Sequence, residues 1–536
     1  MEPHRPDAPA SGDLAPADPV PPARSRRWSL LLGPVVAVLL LLFADLEPGQ
    51  PAVTRTAAVA LWMAIWWIGE AVPLAATALL PLALFPLLGI LPGKEVAAQY
   101  VNTTIFLFLG GFLVALAMQR WCLHERIAVG ILRRSRVRPS TLLLSFMGAT
   151  WFLSMWISNT ATTMMMVPIA LAIVLEVERS AEGGAARSFS TAVFLGIAYS
   201  ASVGGIATLV GTPPNLSMVR IYSNLFPDAP EFSFAQWFVF AFPLSTALLL
   251  VIWGFLVLRL CPPARDLPID ASIFRRQAEK LGPMRFAEKV VLVDFVALVC
   301  LWLFRRDLDL GFLKLPGWSR LLPEPGLIDD GTVAIAVSLV LFLIPARSNS
   351  PGSDERPSGG RSVRVLDESV WASVPWGLVL LFGGGFALAH GFQHSGLSLW
   401  LGQSLGGVAG WPLVIVMGTV TLLLVFLTEL TSNTATTDML LPVLAAFAVA
   451  LAVDPRLLMI PGTLACSCAF MLPVATAPNA IIFATERVTI GRMASIGLWI
   501  NLLAVLLITL WTQLGGGLLE LEAGLPAWAE GSTSPR

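Results

Sequence analysis

Charge is what this chain has least of: Asp, Glu, Lys and Arg make up only 13% of its 536 residues. A soluble protein carries about 25%. With 56% hydrophobic residues and a mean hydropathy of +0.76, the apolar excess must face lipid. No run of Lys and Arg is long enough to grip a nucleic acid, and the net charge is −1. Histidine occurs four times, and neither a His-Glu-x-x-His nor a Gly-x-Ser-x-Gly motif is present. A membrane-embedded enzyme would need such a nucleophile–base pair or metal set, so the composition argues against one. A ring of like charge that would line a passive channel is also missing. The five cysteines (Cys122, Cys261, Cys300, Cys466 and Cys468) are odd in number and lack zinc spacing, so they read as small core residues rather than disulfides.

What is present is apolar sequence in pieces of membrane length. Residues 1–27 are rich in Pro and Ala, end in Arg24-Ser-Arg-Arg27, and predict a disordered cytoplasmic tail. The charge-free run from Trp28 to Ala44 is longer than a signal-peptide core and more apolar segments follow, so it reads as a retained first span. A spanning helix needs roughly 20 apolar residues. Eleven segments suit: 28–45, 54–69, 72–91, 103–121, 188–222, 233–258, 287–304, 331–346, 371–394, 457–485 and 493–515. Two others do not fit a single span. From Pro139 to Leu175 no charge occurs for 37 residues, yet polar Ser158-Asn159-Thr160 sits at the middle. Two half-helices that enter and leave on the same side (139–176) explain both facts. The segment 412–452 has the same shape around Ser432-Asn433-Thr434. The expected fold is an all-α polytopic membrane protein of 11 transmembrane helices plus two re-entrant hairpins.

Lys and Arg placement orients it. Loops 120–138, 259–289 and 347–364 are Arg-rich and are expected in the cytoplasm with the N-terminus; 45–53 and 223–232 are acidic and fall outside, as does the C-terminus. Loop 305–330, with Arg305-Arg306, also falls outside and fits the charge rule least well.

The chain contains itself twice. Ser158-Asn-Thr-Ala-Thr-Thr163 recurs unchanged as Ser432-Asn-Thr-Ala-Thr-Thr437, an offset of 274. Leu107-Phe-Leu-Gly-Gly-Phe112 resembles Leu381-Phe-Gly-Gly-Gly-Phe386 at the same offset, and Gly211-Thr-Pro-Pro-Asn215 is echoed by Ala475-Thr-Ala-Pro-Asn479 at 264. The two copies run in opposite directions, which makes them inverted-topology repeats, the usual build of a secondary transporter.

Each repeat supplies a hairpin tip and a helix broken at Pro-Asn. Proline interrupts a helix, so free carbonyls and amides are expected near the membrane centre. Carbonyl, hydroxyl and amide oxygens form the hard, neutral ligand set of a sodium ion. Free amides at half-helix N-termini, with Asn and hydroxyl donors, suit a carboxylate. A lone Ser or Thr in a membrane helix ordinarily bonds back to its own helix; a duplicated tip facing a duplicated break calls for more than that. Glu429 and Asp438 flank the second tip, but their repeat mates are Met155 and Met164, so a structural role is favoured over a symmetric ligand role. His390 and His394, spaced i, i+4, read as a helix end, and Gly383-Gly-Gly385 reads as a close helix contact.

The paired motifs, with Thr428-Glu-Leu-Thr-Ser-Asn-Thr434, Leu472-Pro-Val-Ala-Thr-Ala-Pro-Asn-Ala480 and Trp66-Trp-Ile-Gly-Glu-Ala-Val-Pro73, resemble the divalent-anion:sodium symporter family over about residues 28–516. That family includes dicarboxylate, citrate and sulfate carriers. The resemblance implies a plasma-membrane homodimer of scaffold and elevator-type transport domains. The scaffold would hold 28–102 and 261–370, the repeats 103–260 and 371–516, and 517–536 would be a tail. It implies a first sodium site at Ser154, Ser158, Asn159 and Gly211, and a second at Thr428, Thr431, Asn433 and Ala475. Ser158, Asn159, Thr160, Ser432, Asn433, Thr434 and Thr476 would clamp the substrate; Ala477 stands where many members have proline. The implied activity is sodium-coupled import of C4-dicarboxylates with no cofactor besides Na+. The alternatives are a sodium-independent exchanger, or a sulfate or citrate carrier on the same scaffold.

Overall fold

The computed structural model describes residues 24–134, 138–180, 184–261, 276, 278–279, 281–309, 314–346, 364–404 and 410–530. The expected tail at 1–23 and most of loops 262–280 and 347–363 lie outside the described residues. The rest is almost entirely helical, and eight helices are long and apolar enough to cross a membrane, with five shorter apolar ones beside them. Phe286–Leu303 is of similar length but carries Glu288, Lys289 and Asp294.

Both unusual segments are hairpins of two helices. The first is Pro139–Ser154 and Asn159–Ser180; the second is Leu413–Thr428 and Asn433–Ala450. A proline opens the first, where its missing N–H costs nothing. Both breaks fall at the Ser-Asn-Thr tip. Helices 188–222 and 457–485 are broken as expected. Gly184–Ile206 stops before Pro213–Leu225, and Arg456–Cys466 stops before Ala477–Phe483.

Hairpin 139–180 enters and leaves at one end of the molecule. Gly196 of Gly184–Ile206 lies against Leu143 and Met147, and Gly204 against the Trp151 backbone. Pro139–Ser154 and Gly184–Ile206 therefore run in the same direction, so that the start of the hairpin lies near the start of Gly184–Ile206. In the second repeat, Gly462 meets Leu424 and Thr428 meets Cys466, so Leu413–Thr428 and Arg456–Cys466 are parallel in the same way.

Polar contacts sort the loops into two sets. Arg126 pairs with Glu288 and bonds the Leu281 and Gly282 carbonyls; Arg120 pairs with Asp367; Arg487 pairs with Glu178. At the other end Arg305 pairs with Asp330 and Glu231, Arg306 with Glu231, and Arg456 bonds the Leu519 carbonyl. Each pair joins segments that the Lys and Arg placement puts on the same side. In loop 305–330, the one that fits the charge rule least well, Arg305 and Arg306 are paired with carboxylates at 231 and 330.

Several local expectations need correction. Segment 72–91 is not one helix but Leu74–Thr77, capped by Pro73, and Leu80–Leu87, because Pro81 cannot continue the first helix and instead opens the second. Loop 120–138 contains the amphipathic helix Leu123–Arg133. Loop 305–330 holds a short antiparallel pair, Leu308–Asp309 with Lys314–Leu315. The tail from 517 carries the helix Ala527–Glu530, whose Trp528 packs on Tyr222, Phe226 and Arg456. Of the cysteines only Cys466 and Cys468 are buried; Cys300 is exposed, since an apolar helix in a bilayer turns one face to lipid, and Cys122 is exposed at the junction between Thr103–Arg120 and Leu123–Arg133.

Gly184–Ile206 is the centre of the larger core, nearly every residue of it buried. A smaller core joins Pro51–Ile68 and its neighbours to Trp376–Ser395. There the three glycines of the second repeat do what their size allows. Gly383 faces the Tyr100 ring, Gly384 the Ala78 backbone and Gly385 the Asp438 side chain.

Candidate functional site

The first tip gathers oxygens. Ser154 Oγ stands 2.7 Å from Asn159 Oδ1 and 2.7 Å from the Ala201 carbonyl. A hydroxyl has one proton, so it can bond only one of the two. Gly205 and Gly211 close the space. A Cβ on Gly205 would lie 2.7 Å from Asn159 Oδ1, and one on Gly211 would lie 2.6 Å from the Gly205 carbonyl and 3.0 Å from that of Met155.

The second tip repeats this. Thr428 Oγ1 stands 2.7 Å from Asn433 Oδ1 and 3.0 Å from the Cys466 carbonyl. Here Ala469 and Ala475 replace Gly205 and Gly211. In both repeats the next helix is tied back identically: Thr163 bonds the Asn159 carbonyl and Thr437 that of Asn433, each at 2.8 Å.

The broken stretches are less open than their prolines suggest. Asn215 Nδ2 donates to the Gly205 and Thr208 carbonyls at 3.0 and 2.7 Å; Asn479 Nδ2 donates to Ala469 and Leu472 at 3.0 Å each. The asparagine after each proline thus ties the two edges of its own break, because a buried carbonyl needs a donor. These carbonyls, expected to be free, are already partnered. The carbonyls facing the tips are those of Ala201 and Cys466, one turn earlier.

The two breaks are braced differently. In the first, Thr208 Oγ1 donates to the Met155 carbonyl at 2.5 Å and accepts from Gly211 N at 3.1 Å. In the second, Glu429 accepts from the backbone amides of Phe470, Met471 and Leu472 at 2.6, 2.8 and 3.0 Å. The structural role expected for Glu429 is therefore specific: its carboxylate folds the chain into the break.

Among the expected residues, Ser154, Asn159 and Gly211 converge, as do Thr428 and Asn433. Ser158 Oγ instead accepts from Ala161 N at 3.3 Å, as an N-cap. Thr431 Oγ1 bonds the Leu427 carbonyl and meets Thr436, while Ala475 N bonds the Leu472 carbonyl. Thr476 Oγ1 accepts from Asn479 N, capping its half-helix. Ser158, Asn159, Thr160, Ser432 and Asn433 keep part of their surface accessible, and Thr434 is buried. His390 stands beside Glu95, 4.0 Å away. The carbonyl partners Ala201 and Cys466 were not expected, nor were the braces Thr208 and Asn501, the latter donating its side-chain amide to Glu429. Backbone oxygens leave no mark in a sequence, and Thr208 has no hydroxyl mate, its counterpart being Leu472.

The repeats interlock. Pro213–Leu225 packs on Asn433–Ala450 of the other repeat, and Ala477–Phe483 packs on Asn159–Ser180 and Gly184–Ile206. Tyr199 seals the join by donating to the Phe470 carbonyl at 2.8 Å.

The chain is similar to several known proteins. The sodium-dependent dicarboxylate transporter SdcS of Staphylococcus saprophyticus is 42% identical over 487 residues, 90% of this chain and 89% of its own. SdcS of Staphylococcus aureus is 41% identical over 488 residues, with the same shares. The solved structure of Neisseria gonorrhoeae MtrF, from a class of antimetabolite efflux pumps, is alike in fold alone: TM-score 0.53, 14% identity, over 81% of this chain and 86% of its own. The sodium:sulfate symporter transmembrane region matches residues 24–520, and this chain belongs to that family of divalent-anion:sodium symporters.

Proposed function

We propose that the protein imports C4-dicarboxylates such as succinate, malate and fumarate together with sodium ions. The observation that carries this reading is the duplicated oxygen trio, Ser154–Asn159–Ala201 and Thr428–Asn433–Cys466. Two sets of neutral oxygens, each with one proton to share, invite one small cation apiece. A dianion would lie between the tips, its charge offset by these cations. No Lys or Arg lies in either tip or break motif, so hydroxyls, side-chain amides and the amide ends of the half-helices would hold the carboxylates. No cofactor besides Na+ is required. The names of the SdcS relatives support both the cation and the substrate class.

In this reading the hairpins and broken helices move as an elevator against Pro51–Ile68 and its neighbours. Two copies would share a plasma membrane, with the N-terminus cytoplasmic and the C-terminus outside. Uptake of labelled succinate into proteoliposomes, with and without an inward sodium gradient, tests the proposal. Accumulation only with the gradient is expected. Equal counterflow in sodium-free choline buffer would refute symport and leave an exchanger.

A further inference from the structure

Asp438 is an ionisable group that the proposed cycle leaves unused. It lies on Asn433–Ala450, five residues past Asn433, and is completely buried. Neither carboxylate oxygen makes a hydrogen bond, and the Ser217 hydroxyl of Pro213–Leu225, which faces it, is unpartnered too. Opposite stands Gly385 of Trp376–Ser395, where a Cβ would lie 2.5 Å from Asp438 Cγ.

Among the described residues no basic side chain meets this carboxylate. On Pro213–Leu225, Arg220 bonds Gln99 and Tyr222 faces Arg456 and Asp454. On Trp376–Ser395, His390 lies between Glu95 and His394. Arg55 of Pro51–Ile68 bonds the Leu88 carbonyl, and Arg456–Cys466 turns only its Cys466 thiol toward Asp438. Leu397–Ser404 and Leu413–Thr428 bring no titratable side chain.

The repeat relation shows what happens to Asp438 when the protein changes state. Its mate is Met164, which is 55% exposed. Thr103–Arg120, mate of Trp376–Ser395, packs mainly on Asp330–Leu343 rather than on the first hairpin. The two repeats therefore stand in different arrangements, and inverted repeats exchange arrangements as access alternates. In the exchanged state Asp438 acquires the exposure that Met164 has here.

We propose that Asp438 is a proton-binding site, filled while it is exposed, and that only the neutral acid can pack against Trp376–Ser395. This rests on the alternating-access reading above. The proton adds to one carboxylate oxygen as an O–H bond, and the acid then donates to Ser217 Oγ. An ionised carboxylate in that place would have the Ser217 hydroxyl as its one facing donor and, among the described residues, no cation to offset its charge at membrane depth. A sodium ion in the proton's place would need room and a shell of oxygens, and the Gly385 backbone leaves neither. Because the group is exposed in one state only, the proton enters and leaves on the same side, and none is carried across.

The test is sodium-driven uptake of fumarate, which stays dianionic from neutral to alkaline pH, with pH varied separately on each face of the proteoliposome. Wild-type uptake should fall as pH rises on one face alone, by up to about tenfold per unit, the limiting slope of one titrating group. Asp438→Asn should be indifferent to pH on both faces and outpace the wild type in alkali. A wild type insensitive on both faces, or an Asp438→Asn variant that keeps the wild-type profile, overturns the proposal. Should that variant fail to fold, carbodiimide, which attacks protonated carboxyls in apolar surroundings, gives a second reading on the wild type. Mass spectrometry should find Asp438 modified, less so as pH rises; no modification at any pH also overturns it. Absence of sodium-driven uptake at every pH would sink the proposed function instead, and the labelling still reads Asp438.

Discussion

Asn501 of the last long helix donates its side-chain amide to Glu429 Oε1 at 2.8 Å. With the amides of Phe470, Met471 and Leu472, this gives the carboxylate four donors. The last helix thereby holds a residue that lies next to Thr428 of the second tip. Glu429→Gln puts an amide NH2 where only acceptors fit, leaving a buried donor unsatisfied at about 1–3 kcal/mol. The variant should unfold at lower temperature and need more sodium for half-maximal uptake. A melting curve and sodium response matching the wild type would deny the brace.

Asn159→Ala and Asn433→Ala should each abolish succinate uptake without unfolding the protein, since little packed volume is lost. Asn215→Ala should do the reverse first. It strips the Gly205 and Thr208 carbonyls of their donor and should lower stability by about 1–3 kcal/mol. Uptake beside thermal unfolding for the three variants separates the roles, and normal uptake in either tip mutant would place the clamp elsewhere.

Ser154→Ala and Thr428→Ala each remove one oxygen. At about 0.5–1.5 kcal/mol per lost contact, each should raise the half-saturating sodium concentration by about two- to tenfold. Effects on succinate should shrink at saturating sodium, because the two bindings are reciprocal. A succinate defect that persists at saturating sodium would mean that these hydroxyls touch the substrate.

Single cysteines at Arg134 and Arg179, in a chain freed of its native cysteines, bracket the first hairpin, and both positions are exposed. Both should react with an impermeant maleimide from the cytoplasmic face only. Reaction from opposite faces would contradict the hairpin.

The hairpins and broken helices were legible in the sequence because polar tips and prolines interrupt otherwise charge-free runs. The six-residue repeat then placed Ser154 against Thr428 and Asn159 against Asn433 before any coordinates. What stayed hidden is what a single chain does not record. Ala201 and Cys466 contribute through their backbones. The four donors of Glu429 come from residues 41 to 72 positions away. The duty of Asn215 and Asn479, bonding their own breaks, could not be told from ligand duty by residue type. Leu123–Arg133 looked like a loop because its arginines mask an apolar stripe.

The interlocking of the repeats has a consequence in time. Pro213–Leu225 leans on Asn433–Ala450, and Gly184–Ile206 on Ala477–Phe483. A growing chain that has delivered the first repeat therefore still lacks the surfaces that cover it. Asn215 and Thr208 can bind locally at once, but Tyr199 waits some 270 residues for the Phe470 carbonyl. Until residue 483 has been synthesised, the first half keeps an uncovered face, and a ribosome stalled between the repeats would leave that face open.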